Sequence, residues 1–330
     1  MIRWSLFVAM ALGVGGFVAL LLYNGFGEIL GGVAAVGWGL ALIVAIRLGA
    51  LSIAGLAWSA AVGRAVRRPV ALLIGLRIIR EAINCLLPAA QIGGDFIGGR
   101  LLARTGVAPG LAMAGILVDV LLQTVTQGSF ALVGLAVLWF GFGDIPVVRE
   151  LGWGAVAAVP ALGGFFLAQR FGLFALVDRS LAVLRRIWPG LGLERPLDLQ
   201  PALQRLYAAP ASLGLGAALH LLGWFAGTAE IWIALSRMGA RPNIGEALVL
   251  ESLGQAVRSA GFAVPGALGI QEGGFILLGS LFGLSAASAV ALSLVKRLPD
   301  LAIGLPGLFA WQGLEMALLR RPRAGLDHPA

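Results

Sequence analysis

The segment REAINCLLPAAQIGGDFIGGRLL, residues 80–102, decides how the rest of this chain folds. It is about as long as a membrane-spanning helix, because a hydrocarbon layer of about 30 Å takes roughly 20 apolar residues. Yet it is interrupted throughout by charges, amides, a proline and glycines, namely Arg80, Glu81, Asn84, Pro88, Gln91, Gly93, Gly94, Asp95 and Arg100. Such backbone survives at membrane depth only where it is buried in protein or faces a wet cavity. The segment therefore predicts a broken or re-entrant helix beside a substrate path.

The composition of the whole chain is that of a multi-pass membrane protein. Of 330 residues, 59% are hydrophobic and only 12% are charged, whereas ordinary soluble domains carry about 25% charged residues. The net charge of +8 comes from short arginine clusters at the ends of apolar runs. Arginines there orient spans and meet anionic head groups, so we expect no nucleic-acid partner. One cysteine and two histidines argue against a disulfide, a metal site or a cofactor.

Apolar runs divide the chain into spans. The first run could be a secretory signal peptide, but it is long and lacks a small-x-small cleavage site, which favours a retained span. The pattern predicts an all-α bundle of about six to eight spans, with apolar runs at residues 5–23, 33–62, 109–142, 151–169, 211–235, 275–295 and 301–319. Lys296, Arg297, Pro299 and Asp300 separate the last two runs and predict an ion-paired helix break.

Charge positions predict the orientation and the division of the chain. Arg64, Arg67 and Arg68 follow the second run, so the positive-inside rule places them and the N-terminus in the cytoplasm. Residues 173–188 alternate apolar and charged positions at helical spacing, which is typical of an amphipathic helix lying on a membrane. The predicted units are a membrane half, a cytoplasmic linker, a second membrane half and a basic cytoplasmic tail, at residues 1–169, 170–208, 209–319 and 320–330.

The second half repeats the anomaly of the first. Residues 246–274, EALVLESLGQAVRSAGFAVPGALGIQEGG, again combine an acidic start, a proline, a glutamine, a glycine pair and a carboxylate. The polar positions here are Glu251, Gln255, Arg258, Pro265, Gln271 and Glu272. By charge count the first break enters from the cytoplasm and the second from the opposite side. Two broken helices of opposite entry, one in each half, are typical of the inverted repeats of transporters.

The polar residues of the two breaks have two readings. The carboxylates Glu81, Asp95, Glu251 and Glu272 could bind a head group or carry protons, or they could neutralise Arg77, Arg80, Arg100 and Arg258 inside the fold. Arg80 and Arg258 could instead hold a phosphate. The amides Asn84, Gln91, Gln255 and Gln271 are expected to satisfy backbone groups freed at Pro88 and Pro265. Asp119 with Gln123, and Glu230 near His220, could extend a polar path, but hydrogen bonds between helices are the expected role.

Two passages carry a resemblance to a known family. NCLLPAAQIGGDFIGGRLL (84–102) and FAVPGALGIQEGGFILLGSLFGL (262–284) resemble membrane proteins associated with hopanoid biosynthesis. These form a branch of the larger group similar to the flippase region of lysylphosphatidylglycerol synthase. The resemblance implies a multi-pass protein of the bacterial inner membrane that moves a polar-headed lipid between leaflets, here a hopanoid or an anionic phospholipid. The soluble aminoacyl-transferase domain of the synthase is absent, so the resemblance does not imply lipid aminoacylation.

We therefore expect a lipid transporter rather than an enzyme. In the expected mechanism the head group crosses a polar cleft between the two breaks while the tails stay in lipid. A membrane-embedded enzyme acting on lipid through paired carboxylates is one alternative. A scaffold that recruits lipid-synthesis enzymes through the linker is another.

Overall fold

The computed structural model describes residues 15–16, 18–87, 93–142, 198–261 and 264–319, and all regular structure in these ranges is helical. The predicted helical bundle is thereby confirmed. Several predictions fall wholly or mostly outside the described residues: the spans at 5–23 and 151–169, the amphipathic helix at 173–188, most of the linker and the tail. Pro88 and Gln91 also lie outside them.

Ten α-helices follow one another in the described ranges. They are α1 Phe26–Val36, α2 Gly39–Val62, α3 Val70–Leu86, α4 Gly93–Arg104, α5 Pro109–Phe142, α6 Leu199–Tyr207, α7 Pro210–Arg237, α8 Ile244–Ala260, α9 Ile270–Ser280 and α10 Ala286–Leu319. Short 3-10 turns at Gly63–Ala65 and Pro265–Ala267 join α2 to α3 and α8 to α9.

Four of the described helices, α2, α5, α7 and α10, are long and apolar enough to cross a membrane. Only 17–39% of the most apolar window of each is buried against the rest of the protein. The exposed remainder is apolar, with Phe140, Leu222 and Phe309 among the side chains that face outward. A surface of this kind is stable in lipid, so the protein is a multi-pass membrane protein.

The helices repeat in the same order in both halves. A long helix, two short helices and a second long helix form α2–α5 in the first half and α7–α10 in the second. The corresponding lengths agree: α3 and α8 have 17 residues each, and α5 and α10 have 34 each. Neither α3 nor α8 reaches the length of about 20 residues that spans a bilayer. Each half therefore contains a broken helix where its sequence predicts one.

The halves are inverted relative to each other. Glycines of α7 fix its direction against α2: Gly216 lies beside Ala57 and Ala61, whereas Gly223 lies beside Ala50. Residue numbers thus rise along α7 as they fall along α2, so the two helices are antiparallel. The last helix of each half also packs on the broken helix of the other half: α10 packs on α3, and α5 packs on α8. This exchange is the contact pattern of an inverted repeat.

The shortest helices extend the repeat by one element. Phe26–Val36 precedes the first half and packs on α10, the last helix of the second half. Leu199–Tyr207 precedes the second half and packs on α5, the last helix of the first half. Leu199, Leu203 and Leu206 are buried in this contact. The final residues of the predicted linker therefore belong to the packed bundle.

The hydrophobic core of the described residues has two large parts, one towards each end of α2, and a small third part between α1 and α10. One surrounds Trp58 and Val62 and includes buried residues of α3, α4, α6 and the first half of α5. The other surrounds Val36 and Ile43 and includes residues of α8, α9, α10 and the later part of α7. The middle of the bundle is left to polar side chains, which is where the central cavity lies.

The structure corrects the predicted second span. The apolar run at residues 33–62 predicts one helix, but residues 33–36 belong to the helix Phe26–Val36, and a turn at residues 37–38 separates it from α2. Gly37 ends the helix with φ of 50°, a conformation that glycine adopts without steric cost.

The structure also corrects the predicted break near Pro299. Ala286–Leu319 is one helix that runs through Pro299 and Pro306, so residues 275–295 and 301–319 are not two separate spans. The charges did not require a break, because Lys296, Arg297 and Asp300 each meet an opposite charge on another helix. Residues before Ser285 belong instead to α9 and a turn.

Candidate functional site

A cavity of about 420 Å³ lies between the two halves of the molecule. The first half contributes its walls from α2, α3, α4 and α5, and the second half from α7, α8 and the turn at Pro265–Ala267. Its ionisable lining residues are Arg47, Arg77, Glu81, Cys85, Asp95, His220, Glu230, Glu251 and Arg258. Charged side chains at this density within helices that face lipid indicate a functional path.

Arg80 is the centre of the first buried network. Its guanidinium donates to Asp119 Oδ2 at 2.7 Å and to Asp95 Oδ1 at 2.6 and 2.9 Å. It also lies over the ring of Trp58, with Cζ 4.8 Å from the ring centroid. Arg80 and Asp119 are both fully buried, so each supplies the counter-charge that the other needs away from water. The Arg80 network joins α3, α4 and α5 into one rigid unit.

Residues of α7 and α3 connect this network to the cavity. His220 Nε2 lies 2.9 Å from Asp119 Oδ1, and Gln123 donates to Asp119 Oδ2 at 2.9 Å. Arg77 donates to Gln123 at 2.9 Å and to Glu81 at 3.0 Å. The chain of contacts therefore runs from a carboxylate in the protein interior to charged groups on the cavity wall.

A second network lies on the other side of the cavity. Glu230 accepts from Arg47 at 2.8 Å and from Lys296 at 2.6 Å. Lys296 Nζ is also 2.8 Å from Glu251, which accepts from Gln255 at 3.1 Å. Glu230 and Lys296 are almost completely buried. Because Arg47 is on α2 and Glu230 on α7, their ion pair joins the two halves.

Two further pairs fix the second broken helix. Arg258 pairs with Asp300 at 2.9 Å, so α8 is tied to α10. Glu272 accepts from the Gly269 amide at 2.7 Å at the start of α9 and pairs with Arg297 at 2.8 Å. Arg297 in addition donates to the carbonyl of Gly266 at 2.7 Å. These bonds satisfy backbone groups at the break, which lets an irregular turn exist inside the bundle.

The polar positions of the two halves coincide when each is counted from the start of its helix. Arg77, Glu81, Asn84 and Cys85 in α3 take the places that Glu251, Gln255, Arg258 and Ser259 take in α8. Asp95 in α4 matches Glu272 in α9, and Asp119 and Gln123 in α5 match Lys296 and Asp300 in α10. Two of the matched pairs, Arg77 with Glu251 and Asp119 with Lys296, carry opposite charges. The repeat thus conserves where polar groups lie while the two halves complement each other electrostatically.

The structure brings many of the predicted site residues to the cavity. Those that line it are Arg77, Glu81, Asn84, Asp95, Glu251, Gln255 and Arg258. Other predicted residues lie behind or beside it, namely Arg80, Gly93, Gly94, Arg100, Pro265, Gln271 and Glu272. Arg80 and Glu272 are fully buried in their ion pairs, and Arg100 pairs with Glu315 towards the outside. Their positions match the structural reading of these residues, neutralising charge within the fold.

Two glycines and an amide hold the first break together. Asn84 Oδ1 accepts from the Gly94 amide at 2.7 Å, the role expected of an amide beside a broken helix. A side chain at position 94 would collide with the Arg80 carbonyl, and one at position 98 would lie 2.6 Å from Arg80 Cδ. Glycine is therefore required at these positions for α4 to pack closely on α3. Gln255 donates to the Glu251 side chain instead, whereas Gln271 donates to both the hydroxyl and the carbonyl of Ser293.

Some lining residues were not predicted from the sequence. Arg47 is the clearest, and its signal was a single arginine within an otherwise apolar helix, which by itself suggests a functional position. Gln127 bonds Ser259 across the halves at 2.5 Å, and Trp224 donates to Thr126 at 3.1 Å. Such isolated polar residues have no motif, so only their spatial convergence shows that they belong together.

The arrangement can bind a polar group. Arg47 Nε and Arg77 Nε are buried donors with no hydrogen-bond partner, and Glu230 Oε1 is a buried acceptor with none. In the part of the chain that the structure describes, no group of His, Cys, Asp and Glu residues could hold a metal ion. A mixed set of acids, arginines and amides suits a head group that presents both donors and acceptors.

Similarity to known proteins was found at the level of the family. The sequence profile described as lysylphosphatidylglycerol synthase TM region matches residues 5–307, which include every helix that lines the cavity. No match was found among curated proteins or among solved structures.

Proposed function

Because this chain belongs to the family of the lysylphosphatidylglycerol synthase transmembrane region, we propose that it moves a polar-headed lipid between the two leaflets of a membrane. The observation that carries the proposal is the cavity of about 420 Å³, lined with charge, that lies between two inverted halves. A charged head group pays a large desolvation penalty in hydrocarbon, and a polar route through protein removes much of it.

The head group is proposed to occupy the cavity while the acyl or polycyclic tail stays in lipid. Inverted repeats support alternating access, because either half can take the conformation that the other holds. Such a movement must break contacts between the halves. At the cavity, the polar contacts that cross include Arg47–Glu230, Asp119–His220 and Gln127–Ser259. These side chains would exchange their partners for the head group as it passes.

The membrane is proposed to be the bacterial inner membrane, and the lipid a hopanoid or an anionic phospholipid. The cavity favours neither one, since both present hydroxyl or phosphate oxygens to arginines and amides. The central site is proposed to work without a cofactor and without changing the lipid chemically. Lipid-synthesis enzymes are proposed as partners that supply or receive the lipid.

Lipid movement in proteoliposomes tests the proposal. Fluorescent phosphatidylglycerol and a fluorescent polar hopanoid are placed in both leaflets, and a membrane-impermeant quencher added outside measures how fast the inner pool is reached. Wild-type protein should accelerate one of them. Glu251→Gln should slow that movement about tenfold or more, since the change costs a charged contact of about 1.5–3 kcal/mol on the path.

Glu246→Gln is the matched control, because Glu246 lies outside the cavity and bonds Asn243 within the same half, and glutamine can form the same capping box. Equal rates for folded wild-type protein and protein-free liposomes would refute the proposal. Mass spectrometry of the same liposomes separates the enzyme alternative, which predicts lipid of altered mass instead of redistributed lipid.

A further inference from the structure

A second cavity, of about 360 Å³, lies at one end of the molecule, apart from the central one. Its walls come from the end of α2, the turn Gly63–Ala65, the end of α6 and the start of α7. Arg64, Arg67 and Arg205 line it, and all three are exposed. Among the described residues no acidic side chain lines this cavity, which we call the basic groove.

The arginines and the serine of the basic groove are available to a ligand. Within the described ranges, the guanidinium groups of Arg64, Arg67 and Arg205 have no ion-pair partner, and the Ser212 hydroxyl has no hydrogen-bond partner. Helix α7 starts here with Pro210 in its first turn and without a side-chain cap. The positive end of a 28-residue helix dipole therefore adds to the three arginine charges.

The opposite end of the same helix pair provides an internal comparison. There α7 ends at Arg237, which packs beside Gly39, and Arg241 follows in the connection to α8. That connection also holds a carboxylate, Glu246, which caps α8 together with Asn243. The two ends are equivalent in the inverted repeat, yet only the basic groove combines three arginines with a free helix start.

We propose that the basic groove binds the phosphate of an anionic lipid from the adjoining leaflet. Its place at the ends of two spanning helices puts it at the level of lipid head groups. Arginine forks match phosphate oxygens in bidentate geometry, and the Ser212 hydroxyl adds a further donor. Ala61, Val62, Leu206 and Ala209 give the groove an apolar side for the glycerol backbone. The site is separate from the translocation cavity and does not depend on its function.

Binding is measured on the full chain purified in a neutral detergent. Dioctanoyl phosphatidylglycerol is titrated by calorimetry, with dioctanoyl phosphatidylcholine and inorganic phosphate as separate arms. The variant Arg64→Gln/Arg67→Gln/Arg205→Gln removes the arginines of the groove. Arg237→Gln/Arg241→Gln is the matched control at the other end. All five side chains are exposed, so the variants should keep their elution volume in gel filtration.

Phosphatidylglycerol should bind wild-type protein and the control alike, and the groove variant at least about tenfold more weakly, since each arginine near an anionic surface contributes about 1 kcal/mol. Raising the salt from 50 to 500 mM should weaken binding to wild-type protein and leave the groove variant little changed.

Equal binding by wild-type and groove variant would overturn the proposal, and so would an equal loss in the control. Inorganic phosphate that binds as tightly as the lipid would show a site for soluble phosphate and refute the lipid. If the triple variant does not fold, the three single Arg→Gln variants carry the test. Each should then weaken binding severalfold, and no change in any of them would overturn the proposal.

Discussion

At the residue scale, Arg80 shows how this bundle tolerates buried charge. Its guanidinium is fully buried and touches two carboxylates and an indole ring. Removing one member of a buried network destabilises the fold by more than the intact network stabilises it, because the partners are left charged and unpaired. We expect Arg80→Gln to reduce the free energy of unfolding by about 3–5 kcal/mol. Thermal unfolding in detergent, followed by gel filtration, measures the change.

Arg100→Gln is the control for this prediction, because Arg100 is on the same hairpin but 46% of its side chain is exposed. An exposed pair contributes about 0–1 kcal/mol, so this variant should unfold close to wild type. Equal losses in the two variants would show that burial does not decide the energetics of these arginines.

Gly98 is predicted to be necessary for the same network. The Cβ of Gly98→Ala would lie 2.6 Å from Arg80 Cγ and Cδ, so the arginine must move away from Asp95. We expect a destabilisation of about 1–3 kcal/mol in the same unfolding assay. Gly75→Ala, also in a helix but with nothing within 4 Å of the new Cβ, should be neutral or stabilising. A larger loss of unfolding free energy in Gly75→Ala than in Gly98→Ala would contradict the packing of α4 on α3.

At the element scale, the pair α2 and α7 holds the halves together, and its direction can be tested by a cross-link. The Cβ of Gly216→Cys would lie 3.2 Å from that of residue 61, so a small shift reaches the 3.5–4.5 Å of a disulfide. In a Cys85→Ser background, Ala61→Cys/Gly216→Cys should therefore form a disulfide on mild oxidation. Loss of maleimide labelling detects it.

Gly214→Cys with Ala61→Cys is the control, since nothing lies within 4 Å of a Cβ at position 214. Cross-linking of the control and not of the test pair would mean that α2 and α7 meet in another register.

Element boundaries show what could be predicted and what could not. Pro109–Phe142 begins and ends where its apolar run does, because nothing polar interrupts it except on one face. The predicted break in α10 was wrong, although a proline and three charges together are typical of a helix break. The three charges are neutralised by residues of α7, α8 and α9 that are far away in the chain. Local sequence carries no information on such partners.

At the scale of the whole molecule, the inverted repeat predicts which connections share a side of the membrane. With α2 and α7 antiparallel, Arg67 and Arg205 lie at one end and Arg241 at the other. We expect Arg67→Cys in a Cys85→Ser background to react with an impermeant maleimide only after cells are opened. Arg241→Cys should react in intact cells once an outer membrane, where present, is permeabilised. Labelling of both from the same side would refute the inversion.

The two broken helices were predictable because proline, glycine and carboxylates recur within an apolar stretch of each half. The sequence also predicted that they enter from opposite sides, but it did not predict all the residues that line the cavity between them. Arg47 and Lys296 complete the second network. Arg47 is the single charge of an apolar helix, and Lys296, although next to Arg297, pairs with Glu230 and Glu251 on other helices. Paired charges are separated by 183 residues in Arg47 and Glu230 and by 215 residues in Arg100 and Glu315. Only folding makes them neighbours.

The ion pair between Arg47 and Glu230 has a consequence for how this molecule could have been assembled. A symmetric dimer of the first half alone would set Arg47 against a second copy of α2, a helix without a single carboxylate. A dimer of the second half would in the same way leave Glu230 without the arginine that joins it to the other half. The present pairing therefore depends on two unlike halves in one molecule.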